Sequence, residues 1–413
     1  MQAEGIERGQ ELLKSGARFV PQPGWFARTI SPGFQTILKQ LDRGFVHGKL
    51  TGHLPDGTTT VLGGRAPGFE AEVHLKDWRA LLRLVTGGSI GWYQGFEAGE
   101  WDSPDLVPVF GIFADNARSL GSLGRAKGPF RWFAKLAHGF NRNSMSGSQR
   151  NISAHYDLGN DFYEHWLDPS MTYSSGLFAE DTQLEKAQEA KWAALSDRVG
   201  DAREVLEIGC GWGSLAAHLA REGREVTAIS LSDEQLDYAR SHHGGGVDFR
   251  KQDYRDVGGA FDAIVSVEMV EALGREYWPT FMDAVARNLK PGGRAAIQYI
   301  SISDDLFDAY AASADFIQAY IFPGGLLIRT SEFRELAEAR GLSWENQHDF
   351  GLDYAETLKL WRSNFMLSAH KGELPDGFDR RFVELWRYYL AYCEGGFRAG
   401  TIDVHQVTLV KGI

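Results

Sequence analysis

Val205-Leu206-Glu207-Ile208-Gly209-Cys210-Gly211-Trp212-Gly213-Ser214-Leu215 decides how the rest of the chain is read. An apolar run ends in an acid, glycine then recurs at alternate positions, and a helical pattern opens at about Ser214. Glycine tolerates positive φ and lets a ligand approach the backbone closely. The first turn of a helix offers N–H groups that have no partner within the helix. The stretch therefore predicts a strand, a tight turn and a helix that hold a nucleotide-like ligand. Spacing narrows the choice. A dinucleotide fold asks for G-x-G-x-x-G with an acid about 20 residues on, whereas here Glu207 precedes the glycines in an E-x-G-x-G-x-G pattern. NAD binding and a purely structural turn are the competing readings.

Strand and helix signals alternate downstream. Residues 225–230 read as the second strand, 233–240 as a helix, 247–250 as the third strand and 261–267 as the fourth. A helix over 277–288 is expected to end at Lys290-Pro291-Gly292-Gly293, with another strand over 294–300. This order implies an α/β fold, a Rossmann-like doubly wound parallel sheet with its ligand at the carboxyl ends of the strands. Upstream, residues 45–90 alternate short β-like runs with turns such as Pro55-Asp56-Gly57 and Gly63-Gly64. Glu70 to Leu75 alternates polar with apolar, and 77–85 reads as an amphipathic helix with Asp77 near its start. The predicted plan is a small N-terminal α+β domain over 1–115, a basic aromatic linker over 116–152 and a larger domain over 153–413.

Bulk composition sets outer limits. A chain of 413 residues with 43% hydrophobic content buries a large core and is expected to make two domains. Its two cysteines, Cys210 and Cys393, lie far apart and outside any C-x-x-C pattern, so neither a disulfide framework nor a metal site is expected. A cytoplasmic setting fits, since no run of 18 apolar residues occurs and Met1-Gln2-Ala3-Glu4 lacks the features of a signal peptide. A net charge of −12 argues against nucleic-acid binding. Contact with acidic lipid would need a local basic patch, and one is present. From Asn116 through Tyr156 there is no acid, yet Arg118, Arg125, Lys127, Arg131, Lys135, Arg142 and Arg150 all fall there. Phe130, Phe133, Ala137 and Phe140 share one helical face while Arg131 and Lys135 turn away, the pattern of a helix in a membrane interface. A solvated linker is the alternative.

Further motifs recur in a consistent order from about Ser153 to Val410. They are Ala154-His155-Tyr156-Asp157-Leu158-Gly159-Asn160-Asp161-Phe162-Tyr163, Leu167-Asp168-Pro169, Met171-Thr172-Tyr173-Ser174-Ser175-Gly176 and the glycine stretch itself. Gln252-Asp253-Tyr254-Arg255-Asp256, Ile264-Val265-Ser266-Val267, Tyr320-Ile321-Phe322-Pro323-Gly324-Gly325 and Asp353-Tyr354-Ala355-Glu356-Thr357-Leu358 with Trp361 follow. Together they resemble the cyclopropane fatty acid synthases, class I S-adenosylmethionine (SAM) methyltransferases that act on unsaturated acyl chains of phospholipids. The first ~115 residues match that family only in architecture, where bacterial members carry a small lipid-handling domain.

The resemblance implies SAM as cofactor, with Tyr173 and Ser174 closing on its methionine part and Glu207, Gly209, Gly211 and Gly213 beneath it. Gln235 would reach the ribose, beside Ser230, which stands where other SAM enzymes place an acid. Gln252, Asp253 and Tyr254 would flank the adenine. It implies a bicarbonate ion as base, cradled by positions that correspond here to Glu271 and Tyr354, with Ser175 in place of the family's Cys and Gln298 in place of its His. Both replacements can donate hydrogen bonds to an anion, but neither carries a proton as His does. Ala272 replaces a further His, and Glu268 stands where the best-known members have Gly.

A sulfonium methyl needs no metal, and a cis double bond can attack it, leaving a carbocation that aromatic faces stabilise and a base deprotonates. Loss of the proton from the new methyl closes a cyclopropane, and loss from a neighbouring carbon gives a methylated, methylene or furan-precursor chain. The departures at the anion site leave that product open. Competing readings are a small-molecule N-methyltransferase, suggested by the pair Glu268 and Glu271, and a non-catalytic lipid-binding protein. Read alone, Glu271 would cap the following helix, Tyr354 would be a core aromatic, and His155 and His348 would be structural. Expected partners are the inner membrane face and its unsaturated lipids, and the chain admits a homo-oligomer.

Overall fold

The computed structural model describes residues 8–15, 31–121, 158–179 and 183–413. The predicted membrane-interface helix, with Phe130, Arg131, Phe133, Lys135, Ala137 and Phe140, lies outside the described residues, as does His155. The chain sorts into two compact units that do not follow the predicted linear division. One unit takes residues 1–141, 305–323 and 375–401, and the other takes 142–304, 324–374 and 402–413.

In the first unit, β1 (His47–His53), β2 (Thr59–Gly63), β3 (Ala66–Leu75) and β4 (Trp101–Asp102) form a sheet in the order β2-β1-β3-β4. The predicted 77–85 helix runs on from Arg79 to Glu97, so the β-like reading extended to residue 90 was too long. Gly88 kinks this helix at φ 59°, a conformation that costs glycine little. Its Tyr93 is buried against Phe316, Tyr320 and Tyr388, with ring centroids 4.5 to 5.0 Å apart. Residues beyond 300 thus complete a core that begins before residue 100. Asp315 binds it further, accepting from Ser89 Oγ at 2.7 Å and Tyr392 Oη at 2.8 Å.

The second unit holds a seven-stranded sheet, formed by β5 (Glu204–Ile208), β6 (Glu225–Ser230), β7 (Val247–Lys251), β8 (Phe261–Val267), β9 (Leu289–Ile302), β10 (Leu342–Asp349) and β11 (Ile402–Lys411). The order is β10-β11-β9-β8-β5-β6-β7. Strands β5 to β9 pair in parallel as predicted, while β11 runs antiparallel to both β9 and β10, so the sheet is mixed at one edge. Successive strands are added on one side of β5 up to β7 and on its other side from β8, and at such a switch between β5 and β8 an open α/β sheet leaves a crevice for ligand. Lys290-Pro291-Gly292-Gly293 is a bulge inside β9, because the ladder with β8 skips from Leu289 to Arg294. The helix Leu184–Val199 lays Leu195 and Val199 against Val205 and Val265 of the sheet.

Candidate active site

Each glycine of the decisive stretch has its own physical reason. Gly209 (φ 84°) follows the last residue of β5, and a Cβ there would meet Met269 Cγ at 2.8 Å. Gly213 (φ 91°) precedes the helix Ser214–Arg221, and a Cβ there would meet Phe249 Cζ at 2.8 Å and Ala239 Cβ at 2.9 Å. Gly211 (φ 50°) differs, since its Cβ would point into open space with nothing within 4 Å. Two of the glycines permit packing and the third leaves room above the turn.

The chemistry of the residues expected to hold SAM fits that cofactor. Glu207 is 3% exposed, and its Oε2 has no hydrogen-bond partner among the described residues, so it lacks the donor that an amino group could supply. Burial pushes the Glu207 carboxyl up to about 8, against the Ala216 N–H and the Lys191 charge. Tyr254 likewise has a buried, unpartnered hydroxyl, pushed by burial up to about 12. Ser230 Oγ stands 3.4 Å from Gln235 Oε1 at the end of β6, and both residues are buried. Gln252 donates to the Asp256 carbonyl at 3.1 Å. Asp253 is already engaged, because the Arg255 guanidinium and N–H meet both of its oxygens. Burial raises the Asp253 carboxyl but these bonds outweigh it, so it stays below its ordinary value. Asp253 therefore shapes the loop as the cap of the short 3-10 turn Tyr254–Asp256. Tyr173 sits in an aromatic cluster, 5.3 Å from the Trp361 ring and 5.6 Å from the Trp166 ring, and Tyr354 lies 6.1 Å from Trp361.

The predicted anion cradle assembles from residues far apart in the chain, but its centre is filled by protein. Glu268 Oε1 accepts from the Ser175 backbone N–H at 3.0 Å and from Gln298 Nε2 at 2.8 Å, and Glu268 Oε2 accepts from Tyr354 Oη at 2.7 Å. The donors that a bicarbonate would need are spent on this carboxylate, so the residues as placed do not fit that ion and no step is assigned to it. Ser175 contributes through its backbone, since its hydroxyl donates to the Gly176 carbonyl at 2.8 Å. Glu268 adopts φ 48°, a left-handed conformation that disfavours a residue with a side chain. Strain of this kind persists where surrounding contacts hold it, and it clusters at functional sites.

Glu271 does not cap the following helix. Its Oε1 accepts from the Ile300 N–H, its carbonyl accepts from Leu326 N at 2.8 Å, and its Oε2 is shut off from water with no partner among the described residues. Burial first and the Glu268 charge second push the Glu271 carboxyl up to about 8. Burial also raises Glu268, against the pull of Tyr354, Lys191, Ser175 and Gln298. Two carboxyls in one low-dielectric site do not both ionise readily, and the one with three donors keeps the charge. The three donors favour the charge on Glu268, and burial with that neighbouring charge favours the neutral form of Glu271.

Sequence reasoning missed the residues behind this pair. Gln406 Nε2 donates to Gln298 Oε1 at 3.0 Å and Arg198 Nε donates to Gln406 Oε1 at 3.1 Å, which fixes the Gln298 amide with its N–H toward Glu268. Lys191, 1% exposed, donates to Ser174 Oγ at 2.5 Å. Burial pulls the Lys191 amine down to about 8, against the charges of Glu268, Asp168 and Glu207. A signal for it existed, since Ala187, Lys191, Leu195 and Val199 form one buried stripe of the helix, and a lysine on such a stripe calls for a partner. His348 is exposed and stacks on Phe350 at 5.4 Å, a structural placement.

Comparison with known proteins identifies the family. The family model for mycolic acid cyclopropane synthetase matches residues 143–407. Tuberculostearic acid methyltransferase UfaA1 of Mycobacterium tuberculosis is 36% identical over 386 residues, covering 87% of this chain and 88% of that protein. Cyclopropane-fatty-acyl-phospholipid synthase of Escherichia coli is 33% identical over 361 residues, covering 86% of this chain and 90% of its own. Among solved structures, mycolic acid cyclopropane synthase CmaA1 complexed with SAH and CTAB superposes with a TM-score of 0.59 at 28% identity, covering 64% of this chain and 98% of that one.

Proposed function

The chain belongs to the mycolic acid cyclopropane synthetase family of SAM-dependent methyltransferases, and from that premise we propose that it methylates a double bond in the acyl chains of unsaturated phospholipids with Glu268 as its built-in base. The observation that carries the reading is the set of Ser175, Gln298 and Tyr354 donors converging on the Glu268 carboxylate.

Bound SAM supplies an electrophilic sulfonium methyl, which the π electrons of a cis double bond can attack. The glycine turn, Glu207, Ser230, Gln235 and Tyr254 are the groups that hold the cofactor in this reading. Rings of Trp166, Tyr173, Tyr354 and Trp361 supply π faces that tolerate a positive carbon. Glu268 then takes one proton, either from the added methyl group or from a carbon next to the cation, and the C–H electron pair neutralises the cation. Tyr354 and Gln298 keep Glu268 aimed and ionised, while neutral Glu271 holds the Ile300 backbone. Because the base is tethered to the chain, its reach selects which proton leaves. We place the protein peripherally at the inner membrane face, where its substrate lies. The basic, acid-free stretch from Asn116 to Tyr156 supports that placement, and no helix of the described residues is long and apolar enough to cross a membrane.

The test is transfer of a labelled methyl from SAM to vesicles of monounsaturated phospholipid, using deuterated methyl and mass spectrometry of the product. Retention of all methyl deuterium means that the proton came from the chain, and loss of one means that it came from the methyl group. No transfer to any lipid would refute the reading. Sedimentation with anionic vesicles tests the membrane placement, which requires weaker binding when Arg131 and Lys135 are changed to alanine.

A further inference from the structure

The four-stranded sheet carries a row of polar side chains that methyl transfer does not use. Thr59, His53, His74 and Asp102 are successive register partners across β2, β1, β3 and β4. Direct partners share a face of a sheet, as do residues two apart on a strand, so Glu72 joins the same face beside His74. Glu72 Oε1 lies 3.1 Å from His53 Nε2 and 2.7 Å from His74 Nε2. The far side of each ring is also engaged. His53 Nδ1 lies 3.1 Å from Thr59 Oγ1, and His74 Nδ1 lies 3.6 Å from Asp102 Oδ1, a carboxylate that Lys76 also pairs. The two imidazoles meet edge to face, with centroids 4.8 Å apart.

Glu72 Oε1 is thus shared by the Nε2 atoms of two imidazoles, whose donor or acceptor roles depend on the tautomer. With Nδ1 protonated on both rings, the two Nε2 lone pairs and the carboxylate converge on one point, and one small divalent ion satisfies all three groups at once. The ligand atoms lie within 4.8 Å of one another. The edge of a tetrahedral zinc site with bonds near 2.0–2.1 Å is ~3.3 Å, close to the 2.7 and 3.1 Å contacts already made. Thr59 stands at hydrogen-bond distance from one Nδ1 and the Asp102 carboxylate faces the other at 3.6 Å, the positions from which outer groups orient metal-bound imidazoles. Both His side chains are about 44–45% exposed, so an ion reaches them from solvent.

We propose that His53, Glu72 and His74 form a binding site for one zinc-class divalent cation, which ties β1 to β3 and keeps a fourth position for water. Imidazole donors favour zinc, copper and nickel over magnesium and calcium. The site is independent of the methyl-transfer reading and survives if that reading fails.

The experiment titrates the full-length, chelator-treated protein with Zn²⁺, and with Co²⁺ as a visible probe. One equivalent should bind, cobalt should show the visible absorption of a four-coordinate site, and zinc should raise Tm. His74→Ala should abolish these effects, Asp102→Asn should weaken affinity roughly 10–100-fold, and excess Mg²⁺ should not compete. Asp349, Asp403 and His405 form another cluster of metal-ligating groups among the described residues, so Asp403→Asn serves as the control that should leave the equivalent in place. Because His53 and His74 are half exposed, the variants should melt like wild type without metal. Failure of the wild type to bind zinc, or wild-type binding by the His53→Ala/His74→Ala double variant, overturns the proposal.

Discussion

Changing Glu268 to glutamine isolates the proposed base. The amide keeps an oxygen for the Ser175 N–H and Gln298 Nε2, and the Tyr354 hydroxyl can turn to accept from its NH₂ group, so the local packing survives. A carboxamide does not accept the proton. Loss of a positioned base costs a factor of roughly 10² to 10⁴ in rate, which is about 3 to 5 kcal/mol in the barrier. Cofactor affinity and Tm should stay close to wild type. Glu268→Gly asks more of the reasoning. The backbone at φ 48° costs a residue with a side chain about 1–2 kcal/mol, and glycine loses that strain while forfeiting about 0.5–1 kcal/mol of unfolded-state entropy. The two nearly cancel, so the variant should fold, with the Ser175, Gln298 and Tyr354 donors now facing an empty space of carboxylate size. In carbon-dioxide-stripped buffer it should be as slow as the glutamine variant, and added bicarbonate or formate should restore part of the rate. Methyl transfer from labelled SAM to monounsaturated vesicles is the assay. A glutamine variant within threefold of wild type would remove Glu268 from the chemistry, and a glycine variant deaf to both anions would deny that the cradle recognises an anion.

Further outcomes follow from the same site. Gly211→Ala should lower stability by only about 1 kcal/mol yet weaken SAM binding at least tenfold in calorimetry, because its Cβ meets no protein atom. Gly209→Ala should instead lower Tm, its Cβ arriving 2.8 Å from Met269 Cγ. Glu207 and Glu271 have folded values of about 8 against an ordinary 4.5. Their contribution to stability is therefore complete below 4.5 and lost as pH rises toward 8. Tm of the cofactor-free protein should fall across that window and fall less in Glu271→Gln, and equal slopes would contradict the assignment. Lys191→Met removes a charge that holds the Glu268 carboxyl down, so the acidic limb of the kcat profile should move to higher pH, whereas a merely structural lysine would leave it in place.

Much of the second unit was legible because its signals are local. The E-x-G-x-G-x-G turn and the strands over 225–230 and 261–267 lie where hydrophobic pattern and glycine put them. The antiparallel edge was not legible, since β11 pairs with β9 through residues a hundred or more positions away. Resemblance brought Ser175, Gln298 and Tyr354 to one place, and the structure does the same. What no reading of the chain gave was the direction of the Glu268 side chain. That depends on a left-handed backbone at a position where glycine would be at ease, and on donors 30, 86 and 93 residues distant. The division into units was misread for a similar reason, because Tyr93 carries no mark that its neighbours are Phe316 and Tyr388.

That misreading bears on how the protein is made. A ribosome delivers the chain from its N-terminus, and domains ordinarily begin to fold as they emerge. The first unit cannot follow that rule, for its aromatic centre is closed by residues 305–323 and 375–401. Its sheet must wait, half covered, until the chain has been synthesised through residue 401. Cutting the gene near residue 115 to obtain a free-standing N-terminal domain would release a fragment with Tyr93 and its aromatic neighbours bare, a poor candidate for solubility and a good client for chaperones.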